Sequence, residues 1–75
     1  MVPDRFVESP YVRNDGGQLV IEVHWRDAEA LRTYLARQDI PCVVCFDPED
    51  RLSWLEVAPG SDEDRVRATV ADWLI

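Results

Sequence analysis

Three consecutive segments decide how this chain is read: QLVIEVHW at residues 18–25, RDAEALRTYLARQD at 26–39 and IPCVVCF at 40–46. In the first, Leu19, Ile21, Val23 and Trp25 fall on one face and Val20, Glu22 and His24 on the other, the period-two pattern of a half-buried strand. The second spaces Ala28, Leu31 and Leu35 as one buried helical stripe with Tyr34 at its border. Asp27 is its expected N-cap, and Arg32 and Arg37 face outward near Glu29. Asp39 marks the exit, and Pro41 stops the helix from continuing. The third segment is a nearly continuous apolar run, expected of a strand covered on at least part of both faces.

Working outward, Asn14-Asp15-Gly16-Gly17 is a strong turn signal between extended-looking segments. It predicts a short strand at Tyr11–Arg13 forming a hairpin with 18–25, and Pro10 confines that strand to a sheet edge. In the N-terminal ten residues, Phe6 and Val7 suggest a segment that is tied down. On the C-terminal side, Asp47-Pro48-Glu49-Asp50 is a turn by composition. Residues 52–57 then form a strand with Leu55 and Val57 toward the core and Trp54 and Glu56 opposite. After Pro59-Gly60, Ser61-Asp62-Glu63-Asp64 opens a last helix as a variant capping box, its acids at the positive end of the dipole. Val66, Val70, Trp73 and Leu74 supply its docking stripe.

The order is strand, strand, helix, strand, strand, helix. A strand–helix–strand unit followed by a hairpin implies a split crossover, with the returning strand inserted between the first pair. The expected fold is therefore α+β, a single domain over 1–75. Its ferredoxin-like antiparallel sheet runs in the order N-terminal strand, 18–25, 52–57, 40–46, with both helices on one face.

The span from Val20 to Leu74 carries AEALRTYLARQDIPCVV and WLEVAPGSDEDRVRATVADWL, a helix leading into Ile-Pro and a buried strand, then a strand, acidic connector and terminal helix. In this pattern it resembles the small bacterial signal-transducing domains, which are compact PII-like half-ferredoxin modules. The resemblance implies a fold and brings no catalytic residues with it. It does not extend over PYVRNDGG.

Composition narrows the function classes. The 75 residues are 47% hydrophobic and 31% charged, ordinary for a globular domain but close to the lower size limit for a single core. Dimerisation is one way for so small a domain to gain stability. With a net charge of −7 the surface repels phosphate backbones and anionic lipid, so nucleic-acid and membrane partners are not expected. Every cation is Arg, as either the codon usage of a GC-rich genome or a preference for bidentate carboxylate pairing would give. MVPDRFVESP has neither a positive n-region nor an apolar h-region, and two cysteines without a signal peptide suit a reducing, cytoplasmic location.

Chemistry-bearing residues are sparse. Cys42 and Cys45 have the spacing of a redox pair, yet within a strand an odd offset sends them to opposite faces, which suits small packing side chains. His24 is the only histidine; it lies beside Glu22 with Glu56 on the neighbouring strand, and a cross-strand His–Glu pair is its simplest role. Asp47, Glu49 and Asp50 lack the alternating ligands and central Gly of a calcium loop. No cofactor is implied. The face away from the helices is the most informative surface, and Val20, Glu22, His24, Trp54 and Glu56 are its interface candidates, unless Phe6 or Tyr11 covers Trp54. The expected function is a non-enzymatic protein-interaction or regulatory module, self-associating or docking a protein partner through its open sheet face or edge. The alternative is a small-ligand or metal sensor using His24 and nearby carboxylates or a cysteine.

Overall fold

The computed structural model describes residues 10–73. Its elements are β1 (Tyr11–Asp15), β2 (Gln18–Glu22), α1 (Trp25–Arg37), β3 (Cys42–Asp47), β4 (Leu52–Val57) and α2 (Glu63–Trp73). The four strands form one antiparallel sheet in the order β1-β2-β4-β3, with both helices packed against it. This is the α+β, ferredoxin-like arrangement expected from the split crossover, with its extra edge strand taken from the N-terminal side.

Local chemistry accounts for each junction. Asp15 pairs with Gln18, so β1 and β2 are joined by Gly16 and Gly17 alone, at φ 62° and 95°. Positive φ at both central positions is the type I′ geometry that matches strand twist, and glycine adopts it without steric cost. Helix α1 ends in a Schellman motif: Ile40 N–H donates to the Leu35 carbonyl at 2.9 Å and Asp39 N–H to that of Ala36 at 3.1 Å. Asp39 takes the left-handed position at φ 64°, where a β-carbon costs about 1 kcal/mol. Between β3 and β4, Asp47 Oδ1 accepts from Glu49 N at 3.0 Å, making an Asx turn, and Arg51 closes the loop at φ 57°.

Ile21, Leu31, Leu35, Ile40, Leu55 and Val66 are fully buried between sheet and helices. Each contributes about 1.5–3 kcal/mol relative to exposure. Val12, Leu19, Val23, Ala28, Val57 and Val70 complete this core, with Cys42, Val44 and Trp73 packed at its border. The expected stripes of both helices are found, apart from Leu74, which lies outside the described residues. The expected roles of Phe6 and Val7 also lie outside them.

Four sequence expectations are corrected. β2 stops at Glu22, not Trp25: Val23 still donates to the Ser53 carbonyl at 3.3 Å, but Asp27 N–H already bonds the His24 carbonyl at 2.9 Å, the first turn of α1. Trp25 is therefore a helix residue, 56% exposed, and is not part of the core. The N-cap of α1 is His24 in place of Asp27, which joins the first turn as a favourable acid. Asp62, not Ser61, caps α2, accepting from Asp64 N at 3.1 Å, and no capping box forms. Finally, β3 begins at Cys42, and at the edge where the expected order placed it Val43 is 63% exposed, so its apolar run does not reflect cover on both faces.

Candidate interaction surface

Strand pairing orders the face turned away from the helices. One register row runs Tyr11, Glu22, Trp54, Cys45, and the next runs Arg13, Val20, Glu56, Val43. Four of the five expected residues (Val20, Glu22, Trp54 and Glu56) are thus brought onto two adjacent rows. Trp54 is half-buried and its indole Nε1–H donates to Glu56 Oε2 at 3.1 Å. Arg13 Nη1 meets Glu22 Oε2 at 2.8 Å. Both carboxylates of these two rows are therefore held by a donor. Val20 is only 5% exposed, so it forms the floor between Arg13 and Glu56 and offers little surface of its own.

His24 is not in the strand. As N-cap it accepts Arg26 N–H through Nδ1 at 3.1 Å, and its ring stacks on Trp25 with centroids 5.8 Å apart. The expected cross-strand His–Glu pair is replaced by this cap. Accepting at Nδ1 places the ring hydrogen of the neutral imidazole on Nε2.

At the end of the sheet where β2 turns into α1 and the β3–β4 loop returns, these side chains wall a groove of about 960 Å³. Tyr11, Trp25, Leu52 and Trp54 give it an apolar lining; Arg13, Glu22, His24 and Arg51 give it a polar one. Glu22, His24 and Trp54 were expected here, whereas Val20 and Glu56 are not among its lining. Arg13, Trp25, Arg51 and Leu52 were missed, and Tyr11 was expected only as a cover for Trp54. Two signals for them existed: Leu52 shares the parity of Trp54, and a two-residue turn at Gly16-Gly17 pairs Tyr11 with Glu22.

The surroundings of both thiols favour the protonated form. Burial pushes the Cys45 thiol up, helped by the charge of Glu56 and a hydrogen bond to it, and burial likewise pushes Cys42 up despite the Arg32 guanidinium. Neither has the lowered pKa of a nucleophilic or redox cysteine. They lie on opposite faces of β3 and both are free. Among the described residues no group of three or more His, Cys, Asp or Glu is clustered to hold a metal ion. No helix among them is long and apolar enough to cross a membrane.

Comparison of the chain with protein-family models, with curated proteins and with solved structures gives no match.

Proposed function

We propose that the chain is a small protein-interaction or regulatory module, not an enzyme, and that its working surface is the groove beside the sheet. The observation that carries this reading is Trp54, half-buried beside exposed Tyr11, Trp25 and Leu52 at one end of the face that the helices leave open. Aromatic side chains around a shallow depression are the usual anchors of a binding surface. Arg13 and Arg51 make the charged lining net positive against Glu22, in a chain of net charge −7. The partner that fits is an apolar protein segment with a flanking carboxylate for Arg51, which has no ion pair among the described residues. Among the described residues of the groove, His24 Nδ1 is engaged in the cap and the Ser53 hydroxyl donates to the Val23 carbonyl.

A displayed library of random peptides, selected against the native chain, tests this. Enriched sequences should combine Leu or aromatic anchors with an acid, and Trp54→Ala should weaken them roughly tenfold or more. Absence of enrichment, or equal binding by a folded Trp54→Ala chain, overturns the reading. A second reading, a small-ligand sensor, is favoured by the groove's volume, at the upper end of the range for small-molecule sites. An apolar compound that raises the melting temperature of the native chain but not of Trp54→Ala would select it instead.

A further inference from the structure

The edge of the sheet at β3, unpaired among the described residues, carries an inference that is independent of the groove. Two hydrogen bonds fix which way the backbone of each strand faces. Val23 N–H donates to the Ser53 carbonyl at 3.3 Å, so Ser53 faces β2; Ala58 N–H donates to the Pro41 carbonyl at 2.9 Å, so Ala58 faces the β3 side. In an antiparallel ladder successive residues alternate in this respect. Hence Leu52, Trp54 and Glu56 bond to their register partners Asp47, Cys45 and Val43. That leaves Cys42, Val44 and Phe46 with both N–H and C=O directed away from the sheet. Among the described residues no side chain bonds to any of these groups.

The same edge is apolar on both sides. Val43 is 63% exposed on the face away from the helices, and Phe46 is 51% exposed on the helix-side face. It lies in the longest charge-free run of the chain, residues 40–46. The devices that blunt a sheet edge (Lys, Pro within the strand, inward charge) are missing until Asp47.

We infer that β3 pairs with β3 of a second copy of this chain, antiparallel about a two-fold axis, to give one continuous sheet across the dimer. The outward residues have the spacing that a two-fold requires. With Val44 opposite the partner's Val44, Cys42 falls opposite the partner's Phe46, and each outward N–H finds an outward C=O. Val43 then lies opposite the partner's Cys45 on the open face, and Phe46 covers the partner's Cys42 on the helix side. Charge selects this edge for self-association. Two chains of net charge −7 repel, and residues 40–46 are where they approach with no charge in the contacting segment. Strand addition of this kind buries modest area, so the dimer forms by mass action as concentration rises.

Sedimentation equilibrium over a concentration series, with Val43→Lys combined with Phe46→Lys, Trp54→Ala and Val43→Cys chains, tests it. The native chain and Trp54→Ala should reach the mass of two chains at high concentration, and the double Lys chain should lose it while keeping its far-UV circular dichroism. Val43→Cys places a thiol opposite the partner's Cys45 at a closely spaced pair, so mild oxidation should give a covalent dimer that Cys45→Ser abolishes. A native chain of single mass at every concentration overturns the inference. So does a dimer that survives both Lys substitutions, or one lost in Trp54→Ala alone, which would move self-association to the groove.

Discussion

The two edges of the sheet, β1 and β3, solve the same physical problem in opposite ways. On β1 the backbone positions that face outward are Pro10, Val12 and Asn14, because Tyr11, Arg13 and Asp15 bond to β2. Proline has no N–H to offer there. The Val12 carbonyl accepts from Arg67 Nη1 of α2 at 3.1 Å, and Asn14 Nδ2 donates to Glu63 Oε1 at 2.9 Å. Asn14 Oδ1 also accepts Gly17 N–H at 2.8 Å, tying the edge to its own turn. On β3 the corresponding positions are Cys42, Val44 and Phe46, with no such attachment among the described residues. α2 thus serves as a guard for one edge, while the other is left chemically able to add a strand. Edge protection in so small a domain is selective, and the unprotected side is informative because its counterpart shows what protection looks like in the same chain.

The contrast makes its largest claim about packing. Val12 lies under α2 and is 6% exposed, whereas Val43 is 63% exposed. Val12→Ala should cost about 2 kcal/mol by loss of buried methyl groups. Val43→Ala, measured at concentrations where the chain is monomeric, should stay within about 0.5 kcal/mol of the native chain. Urea titrations of the two variants check the difference. Equal costs would mean that β3 is covered and that the two edges are alike.

A smaller effect isolates the guard itself. Arg67 bridges two partners, the Val12 carbonyl and, through Nη2, Glu63 Oε2 at 2.8 Å. Arg67→Met keeps most of the aliphatic stem and removes both polar contacts. The net cost should be about 1 kcal/mol, the worth of one partly buried hydrogen bond plus an exposed pair. Hydrogen exchange should locate it: the amides of Tyr11, Arg13 and Asp15, which bond β2, accelerate while those of β4 do not. If protection of β1 is unchanged, the order of that edge comes from the hairpin alone.

Much of this contrast was readable from the sequence. Asn14-Asp15-Gly16-Gly17 fixed the hairpin because glycine at two positive-φ positions has few other uses, and Pro10 assigned β1 to an edge. The alternation through Leu55 and Val57 and the stripe of Ala28, Leu31 and Leu35 gave the core and, with the hairpin, the strand order. The groove was only partly readable, because its walls come from residues near 11, 24 and 53 that meet in space alone. The segment at 18–25 misled through Trp25. Val23 is buried at the strand's end and Trp25 keeps its parity, yet helix hydrogen bonds begin at His24, a residue seldom chosen as an N-cap. The exposure of Val43 was concealed for a different reason: the expected order already put residues 40–46 at a sheet edge, but a bare edge strand and a covered one share the same apolar spelling.

The smallest expected effect concerns the charge that anchors the guarded edge, and it has a definite direction with pH. The Asn14 amide, and after it the Arg67 guanidinium, hold the Glu63 carboxyl below its ordinary value of 4.5. A carboxyl whose pKa is depressed by folding stabilises the fold above its unfolded value, and that contribution disappears as pH falls through the folded value. Glu63→Gln keeps an oxygen for Asn14 but carries no charge for Arg67. The variant should therefore melt below the native chain near neutrality, and the gap should narrow once pH drops under 4.5. Glu29, lowered by its hydrogen bond from Arg32, titrates in the same acid range but is common to both chains and cancels in the difference. A gap that stays constant into acid would mean that the Glu63 charge contributes nothing to holding β1, and that the guard works through Arg67 and the Val12 carbonyl alone. Among the described residues β3 has no carboxylate anchor of this kind, so exchange of its β4-bonded amides, Val43 and Cys45, corrected for intrinsic rates, should show no matching loss of protection over that acid range.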